Sequence, residues 1–595
     1  MEKYFGATRS SALATGFLAA CFFIAPHKFG SIVNPVGLAH FPASPIDWAI
    51  GIWPVSLPSV FAGVALVLAL IAAWKQPAPA FRSNWPFVLP FATLLIATLI
   101  GLPHTTEHYA AYLFVGHMAG VMAFLLAVLT VVTQVPRSRH LFMWAAIAGA
   151  LTSALYGWYQ HLAGFDDTIQ FLYALEAEGQ HIESALWQRL LEGRVMSGFT
   201  YPNIFAAHLL LFLPIAIYWA DRWGRYGDPP GVCRALFIGT VCLIMIPPLW
   251  WTGSRAASVA IAVAAIATGI LVAADSKWVR RHWLKVLPVI AALCVVGGYV
   301  GFETVEHLKS SERGLSSVMA RLDYYNAAYD MFKEQPWTGV GLLEFFPNYM
   351  RLKPLGAEEA RLPHCLFLFF LAHCGIAGGL AAILFLFQPV IMWFRKSSEA
   401  IAKSKSAFIC VIAGMIAWCA HSLADFDLQV PATMMMMVTL PILVVKPAPA
   451  DGNSWGYRLV CILIACAALA SLAWIPGDIA YQEQSNAMAD GLPAGAVLPY
   501  AEAAARSSPR SPYPWDAFGK YARNQREWKL AYDAFSKASE RAPHRASMHA
   551  HLAQQCRRVN DIVTLENSLR QAAYWYPGKY GEDWEEYLRS KQENE

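Results

Sequence analysis

The stretch HYAAYLFVGHMAGVMAFLLAVLTVVT (residues 108–133) contains no Asp, Glu, Lys or Arg, and its reading decides the fold. As a helix it would run roughly 39 Å, more than the ~30 Å hydrocarbon core of a bilayer. The basic turn Arg137-Ser138-Arg139 follows it. A second apolar block, LFMWAAIAGALTSALYGWYQHL (141–162), comes next. Blocks of this kind, bounded by Pro, Gly, Trp or Lys/Arg, recur through most of the chain. Hydrophobic residues make up 56% of the 595 residues, charged residues 14%, and mean hydropathy is +0.38. A soluble surface needs far more charge. A net charge of +4 leaves no basic footprint for nucleic acid.

About thirteen spans are predicted: 10–25, 57–74, 86–102, 108–133, 141–162, 199–220, 235–251, 255–274, 286–302, 364–394, 407–424, 430–445 and 457–475. The first and twelfth are the short ones. Basic residues fall in alternate gaps, at Lys3/Arg9, Lys75/Arg82, Arg137/Arg139, Arg222/Arg225/Arg234, Lys277/Arg280/Arg281 and Arg395/Lys396/Lys403/Lys405. Those gaps share one side, which the distribution of Lys and Arg makes the cytoplasm. The intervening gaps 26–56, 103–107, 252–254 and 425–429 hold almost none apart from Lys28. Two longer polar loops, 163–198 and 303–363, then face outward, and the last span delivers residues 476–595 to the same side. The fold class is all-α: a polytopic helical body over 1–475 and a small helical domain over 476–595.

The tail has a period. Pro509, Pro543 and Pro577 are 34 residues apart, and Ala504, Ala538 and Ala572 each stand five residues before their proline. Trp515, Gly519, Ala531, Phe535, Ala538 and Pro543 match the spacing of a tetratricopeptide repeat, a helix pair that buries its apolar face by stacking on the next. Three such pairs are expected, and a repeat domain of this kind suits a protein partner.

The 11 cysteines form no disulfide framework or metal spacing. Leu18-Ala19-Ala20-Cys21 after a basic start is similar to a lipoprotein processing site, but so many spans follow that an uncleaved helix is the better reading.

Charge on the outer side is scarce, which singles out four residues. Arg194 precedes the sixth span, Arg255 opens the eighth in Thr252-Gly253-Ser254-Arg255-Ala256-Ala257-Ser258, Arg321 lies in the second outer loop, and His364 begins the tenth span. Arginine donates two parallel charge-assisted hydrogen bonds and so suits phosphate. Histidine, a side chain that titrates near neutrality, can take a proton from an attacking hydroxyl. The set fits glycosyl transfer from a lipid-diphosphate donor. An arginine at a helix end also snorkels to headgroups, so charge placement alone defines a site and leaves the reaction open. Asp425 and Asp427, beside His421, can orient an arginine or bind sugar hydroxyls. Tyr324 and Tyr325 can stack on sugar faces, while Trp337 reads as a headgroup aromatic. His117, His208 and His373, deeper in spans, read as packing or hydrogen-bonding residues.

The order of these segments resembles the O-antigen ligase and Wzy-type polymerase superfamily of membrane glycosyltransferases. Gly253-Ser254-Arg255-Ala256-Ala257 looks like the family's arginine segment, with Val259 where leucine is usual. His364 and Gly375 meet its His-x10-Gly element, with Cys365 in place of asparagine. Arg321 running into Pro336-Trp337-Thr338-Gly339-Val340-Gly341 looks like its loop. The resemblance covers roughly residues 190–445. It implies that Arg194, Arg255 and Arg321 bind the diphosphate of an undecaprenyl-linked glycan and that His364 activates an acceptor hydroxyl on a glycan, lipid or protein. It also implies an inverting reaction without metal or cofactor. The rival class is a transporter or flippase for lipid-linked or other anionic solutes, which would place its ionisable groups nearer the midplane.

Overall fold

The computed structural model describes residues 8–33, 41–42, 44–177, 187, 190–275, 312–395, 405–449 and 455–594. No strand occurs among them. Lipid offers no partner for backbone N–H and C=O groups, so each crossing satisfies its own as a helix. The crossings are α1 Arg9–Lys28, α2 Leu57–Ala73, α3 Phe81–Gly101, α4 His108–Gln134, α5 Ser138–Tyr159 (continued by α6 Phe165–Ala177), α7 Pro202–Gly224, α8 Pro230–Trp251 and α9 Arg255–Asp275. Two further helices, α10 Glu312–Glu334 and α11 Phe345–Leu352, precede α12 Leu366–Leu386, α13 Lys405–His421, α14 Pro431–Val444 and α15 Trp455–Leu469. Among the described residues, nine helices are long and apolar enough to cross a membrane, and α2, α13 and α14 are shorter apolar ones.

Helix α4, formed by the uncharged stretch 108–133, is the hub. It packs on α2, α14 and α15 and is buried over most of its length. A helix apolar on all sides belongs inside a bundle. Helices α8 and α9 bury far less of themselves and present their flanks outward.

Several boundaries differ from the sequence reading. The first span is a full 20 residues, not a short one. Helix α14 is short because every one of its 14 residues is buried among its neighbours, so it need not match the lipid. The span expected over 364–394 ends at Leu386, and a separate helix, Gln388–Arg395, follows. The loop expected from 163 begins as helix: a π turn, Gln160–Gly164, carries α5 into α6. The predicted span 286–302 lies outside the described residues. Cys21 is buried within α1.

Helix α15 does not stop where the tail was expected to start. It runs through a 3₁₀ turn, Ala470–Trp474, into α16 Ile475–Ala489, making a 35-residue helical run. Helix α16 pairs with α17 Ala494–Ser507, α18 Tyr513–Asn524 with α19 Trp528–Arg541, and α20 Ala546–Val559 with α21 Ile562–Trp575; α22 Pro577–Asn594 lies on α21. Trp515, Phe518, Phe535, Leu552 and Leu569 fill an apolar core separate from that of the body.

The proline turns, 34 residues apart, share the edge of the tail that docks on the body. Arg510 lies over Tyr112 at 4.8 Å. His544 and Arg545 meet Glu344 and Glu107 at 3.2 and 2.6 Å. Tyr576 donates to Glu359 at 3.1 Å. Each of these turns therefore sets one rung on the body, at the end where the candidate site lies.

Candidate functional site

Five segments build the site. The first is the loop before α7. Gln160, in the π turn, accepts from the N–H groups of Met196 and Ser197 at 3.2 and 2.7 Å and fixes this loop. Arg194 then donates Nε–H to the Thr252 carbonyl and a terminal N–H to Asn203 Oδ1, both at 2.8 Å. Its side chain lies against Gly253, whose φ is +59° and where a Cβ would sit 3.3 Å from Arg194 Nε. A left-handed φ and a packed guanidinium both favour glycine here.

The second segment is the start of α9. Ser254 Oγ accepts from the Ala257 N–H at 3.3 Å, which caps the helix, and Arg255 follows at its first residue. Arg255 is exposed, and among the described residues its side chain makes no hydrogen bond or ion pair. Arg194 lies close enough to Asp425, Arg255 and Arg321 to feel their charge. Burial, joined by the charges of Arg255 and Arg321, pulls the Arg194 pKa below its ordinary value, while Glu192 and Asp425 oppose this.

His364, the third element, is held in left-handed backbone at φ +49°. That conformation costs a non-glycine residue stability and persists where the surroundings impose it. The Leu366 N–H donates to the Ser422 carbonyl at 2.8 Å, tying the start of α12 to the turn after α13. The imidazole stacks on Tyr324 (5.5 Å, 26°) and meets the Phe426 ring edge-on at 4.7 Å. Its Nδ1 lies 3.6 Å from Asp425 Oδ1.

Asp425 and Asp427, both buried, belong to the fourth segment, the turn between α13 and α14. Burial alone would raise Asp425, but His364 and His421 outweigh it and bring the carboxyl down to about 2. Asp427 Oδ2 is 2.6 Å from His421 Nδ1, and His421 Nε2 is 3.4 Å from Ser254 Oγ. Burial lifts the Asp427 carboxyl to about 6, with His421 restraining it. His117 holds the same turn through the Leu428 carbonyl at 2.9 Å. Among the described residues, Asp425 Oδ2 and Asp427 Oδ1 have no hydrogen-bond partner.

Helix α10 is the fifth segment and carries Arg321, Tyr324 and Tyr325. It reaches the site through a docking device. The turn from Pro336 to Gly341 sits in a kink of α12, where Gly375 has φ +63° and a Cβ would meet Trp337 backbone atoms at 2.5 Å. The Ile376 N–H donates to the Pro336 carbonyl and the Val340 N–H to the Ala372 carbonyl, each at 2.9 Å. His373 locks the turn from below: its Nδ1 faces the Phe369 carbonyl at 2.7 Å and its Nε2 accepts from the Phe345 N–H at 3.2 Å. The histidine–glycine element thus combines a site residue with a structural one. Tyr324 is buried, donating to Glu358 and packing on Tyr349 as well as His364. Tyr325 donates to the Leu423 carbonyl at 3.1 Å. Trp337 is 74% exposed, away from His364. His208 packs between Phe199 and Phe212.

Asp427 and its neighbour His421 were both named from sequence, but not as a hydrogen-bonded pair, although His421 stands six residues before Asp427. Among the described residues no three His, Cys, Asp or Glu side chains are arranged to hold a metal ion.

Fold and site define an all-α multi-pass membrane protein with a cationic site and a buried histidine–carboxylate cluster at one end. A family model described as O-Antigen ligase matches residues 238–383. That match supports the O-antigen ligase superfamily and a membrane glycosyltransferase-like ligase or polymerase function acting on lipid-linked glycans. It spans α8 to α12 and includes Arg255, Arg321 and His364, while Arg194, Asp425 and Asp427 lie outside it. No curated protein matches the chain.

Proposed function

We propose that this chain transfers a glycan from an undecaprenyl-diphosphate donor to an acceptor hydroxyl at the outer face of the cytoplasmic membrane. The observation that carries the reading is the convergence of Arg194, Arg255 and Arg321, from three separate segments, beside His364 and Asp425. Two of the arginines in a guanidinium grip on the diphosphate would each contribute about 1.5–3 kcal/mol. Asp425, kept ionised and 3.6 Å from Nδ1 of His364, favours the proton on that nitrogen and leaves Nε2 to take the proton of the acceptor hydroxyl. The oxygen attacks the anomeric carbon, the bond from that carbon to the diphosphate oxygen breaks, and the lipid diphosphate departs with its new charge among the arginines. Attack from the face opposite the leaving group inverts the anomeric centre, and no metal is required when arginines supply the positive charge.

A place for the lipid supports this reading. An apolar cavity of about 700 Å³ lies between α7, α9 and α13, lined by Leu210, Pro214, Ile261, Ala264, Val272 and Ala417. Ile261 and Val272 stand six and seventeen residues beyond Arg255 on one helix, so the cavity extends roughly 9 to 26 Å along the axis from it. A polyprenyl chain would lie there with its diphosphate at Arg255.

The tail, read as tetratricopeptide-like pairs and placed outside by the basic-loop pattern, would hold a partner protein or the acceptor near the site. A transporter accounts less well for charges gathered at one end of a bundle whose central helix is buried and apolar. The test is transfer by the purified chain from an undecaprenyl-diphosphate glycan to lipid A-core, polysaccharide and peptide acceptors. The reading requires glycan transfer to one class and its loss, by roughly a hundredfold or more, in His364→Ala. Undiminished transfer in that variant overturns it.

A further inference from the structure

The apolar groove accounts for a lipid and the arginines for a diphosphate, but neither accounts for a second cleft on the flank of Arg194. Helix α5 does not end at the bilayer surface. With its π turn and the start of α6 it forms a 33-residue run, Ser138–Gln170, of about 50 Å. That exceeds the ~30 Å hydrocarbon core, so the π turn and the start of α6 project from it. π turns inside helices concentrate at functional sites, and this one bounds a cavity of about 390 Å³. Ligand pockets commonly measure roughly 300–1,000 Å³.

The lining differs in kind from that of the groove. Tyr156 and Tyr159 stack 5.9 Å apart at 24°, and they are 40% and 49% exposed. Tyr159 donates to Asp167 Oδ2 at 3.0 Å. Thr168, one helical residue further on, donates to the Gly164 carbonyl at 2.7 Å and keeps its oxygen as an acceptor. Gln160 spends its amide on Met196 and Ser197, so it shapes the wall. A carboxylate excludes a hydrocarbon chain and repels a phosphate. Parallel aromatic faces beside a carboxylate and a hydroxyl match a ligand with one C–H face and several hydroxyls. Met196 closes the cleft two residues from Arg194, so the ligand sits next to the diphosphate position.

We propose that the cleft bounded by Tyr156, Tyr159, Gln160, Asp167, Thr168 and Met196 is a saccharide subsite that holds a sugar unit of the lipid-linked donor. The ligand's identity rests on the glycosyl-transfer reading; the cleft's chemistry does not. The probe is the glycan released by mild acid from the lipid-diphosphate pool of native membranes. It is offered to the detergent-purified full chain, and binding is read by saturation-transfer NMR. Wild type should saturate the glycan's ring protons. Tyr159→Ala and Asp167→Asn should each bind it about tenfold more weakly, with thermal stability unchanged because both positions are exposed. Arg255→Ala should bind the free glycan as wild type does while failing in transfer. Two results overturn the proposal: no saturation in wild type, or equal saturation in wild type and both cleft variants, as a cleft occupied by lipid headgroups would give. If wild type binds the glycan through the cleft but transfers nothing, the subsite stands and the transfer reading falls.

Discussion

Two polar clusters lie at the same end of this molecule, and they are built on opposite rules. Where the tail docks, the two buried carboxylates are answered. Glu107 accepts from Tyr513 and Arg545 at 2.8 and 2.7 Å. Glu344 accepts from the Thr106 N–H, the Thr106 hydroxyl and the Glu107 N–H, and faces His544. In the candidate site, Arg194 bonds to neutral acceptors, Arg255 is exposed, and two buried carboxylates keep an oxygen without a partner among the described residues. A cluster that closes on itself builds structure. One that leaves charge over is shaped for a ligand.

The largest effect expected from this difference is on the closed cluster. Arg545→Ala leaves Glu107 buried without its cation and should destabilise the docked state by about 3–5 kcal/mol. Denaturant unfolding of the purified protein measures it. Adding Glu107→Gln should return part of the loss, because the uncompensated charge is then gone. Failure of the double variant to recover anything would mean that the pair is not what holds the tail.

A smaller effect sharpens the link between packing and site. Gly375→Ala places a methyl against the backbone of the Pro336–Gly341 turn in a left-handed conformation, at a cost of about 1–3 kcal/mol. Because that turn seats α10, transfer activity should fall by more than the loss of folded protein explains. Activity that tracks the folded fraction alone would separate the turn from the site.

The smallest effect is on acid stability. Burial would raise Glu344, but His544 and the N–H groups of Glu107 and Thr106 outweigh it, so its pKa lies below the ordinary 4.5. A depressed carboxylate contributes stability above its unfolded pKa and loses it as pH falls through the folded one. Docking should therefore be constant near neutrality and weaken below about pH 4.5. Melting curves through that range check it, and Glu344→Gln should flatten the dependence.

Much of the fold was legible because lipid removes alternatives: an uncharged run as long as residues 108–133 has few structures open to it. Basic residues in alternate gaps gave a consistent connectivity, and prolines 34 residues apart marked the turns that now form the docking edge. Span lengths were less legible, since α14 can be short only because neighbours cover it, which no local pattern records. The arginines and His364 were visible as charge in unusual places. His373 read as a packing or hydrogen-bonding residue, but what it and Gly375 hold was not legible, because both act on a turn that packs on them from the preceding loop. Nor could sequence pair Glu107 with Arg545, 438 residues away, or extend α5 through a π turn into what read as a polar loop.

The central claim is that the arginines gathered at this site are there for the diphosphate of the donor. Binding of an undecaprenyl-diphosphate glycan to purified wild type, Arg255→Lys, Arg255→Ala and His364→Ala, with single-turnover transfer on the same samples, tests it most directly. Both Arg255 variants should lose transfer by roughly a hundredfold to a thousandfold together with donor affinity, because an ammonium cannot reproduce the guanidinium fork. His364→Ala should bind the donor as wild type does and fail only in transfer. Donor binding and transfer at wild-type levels in Arg255→Ala would contradict the account.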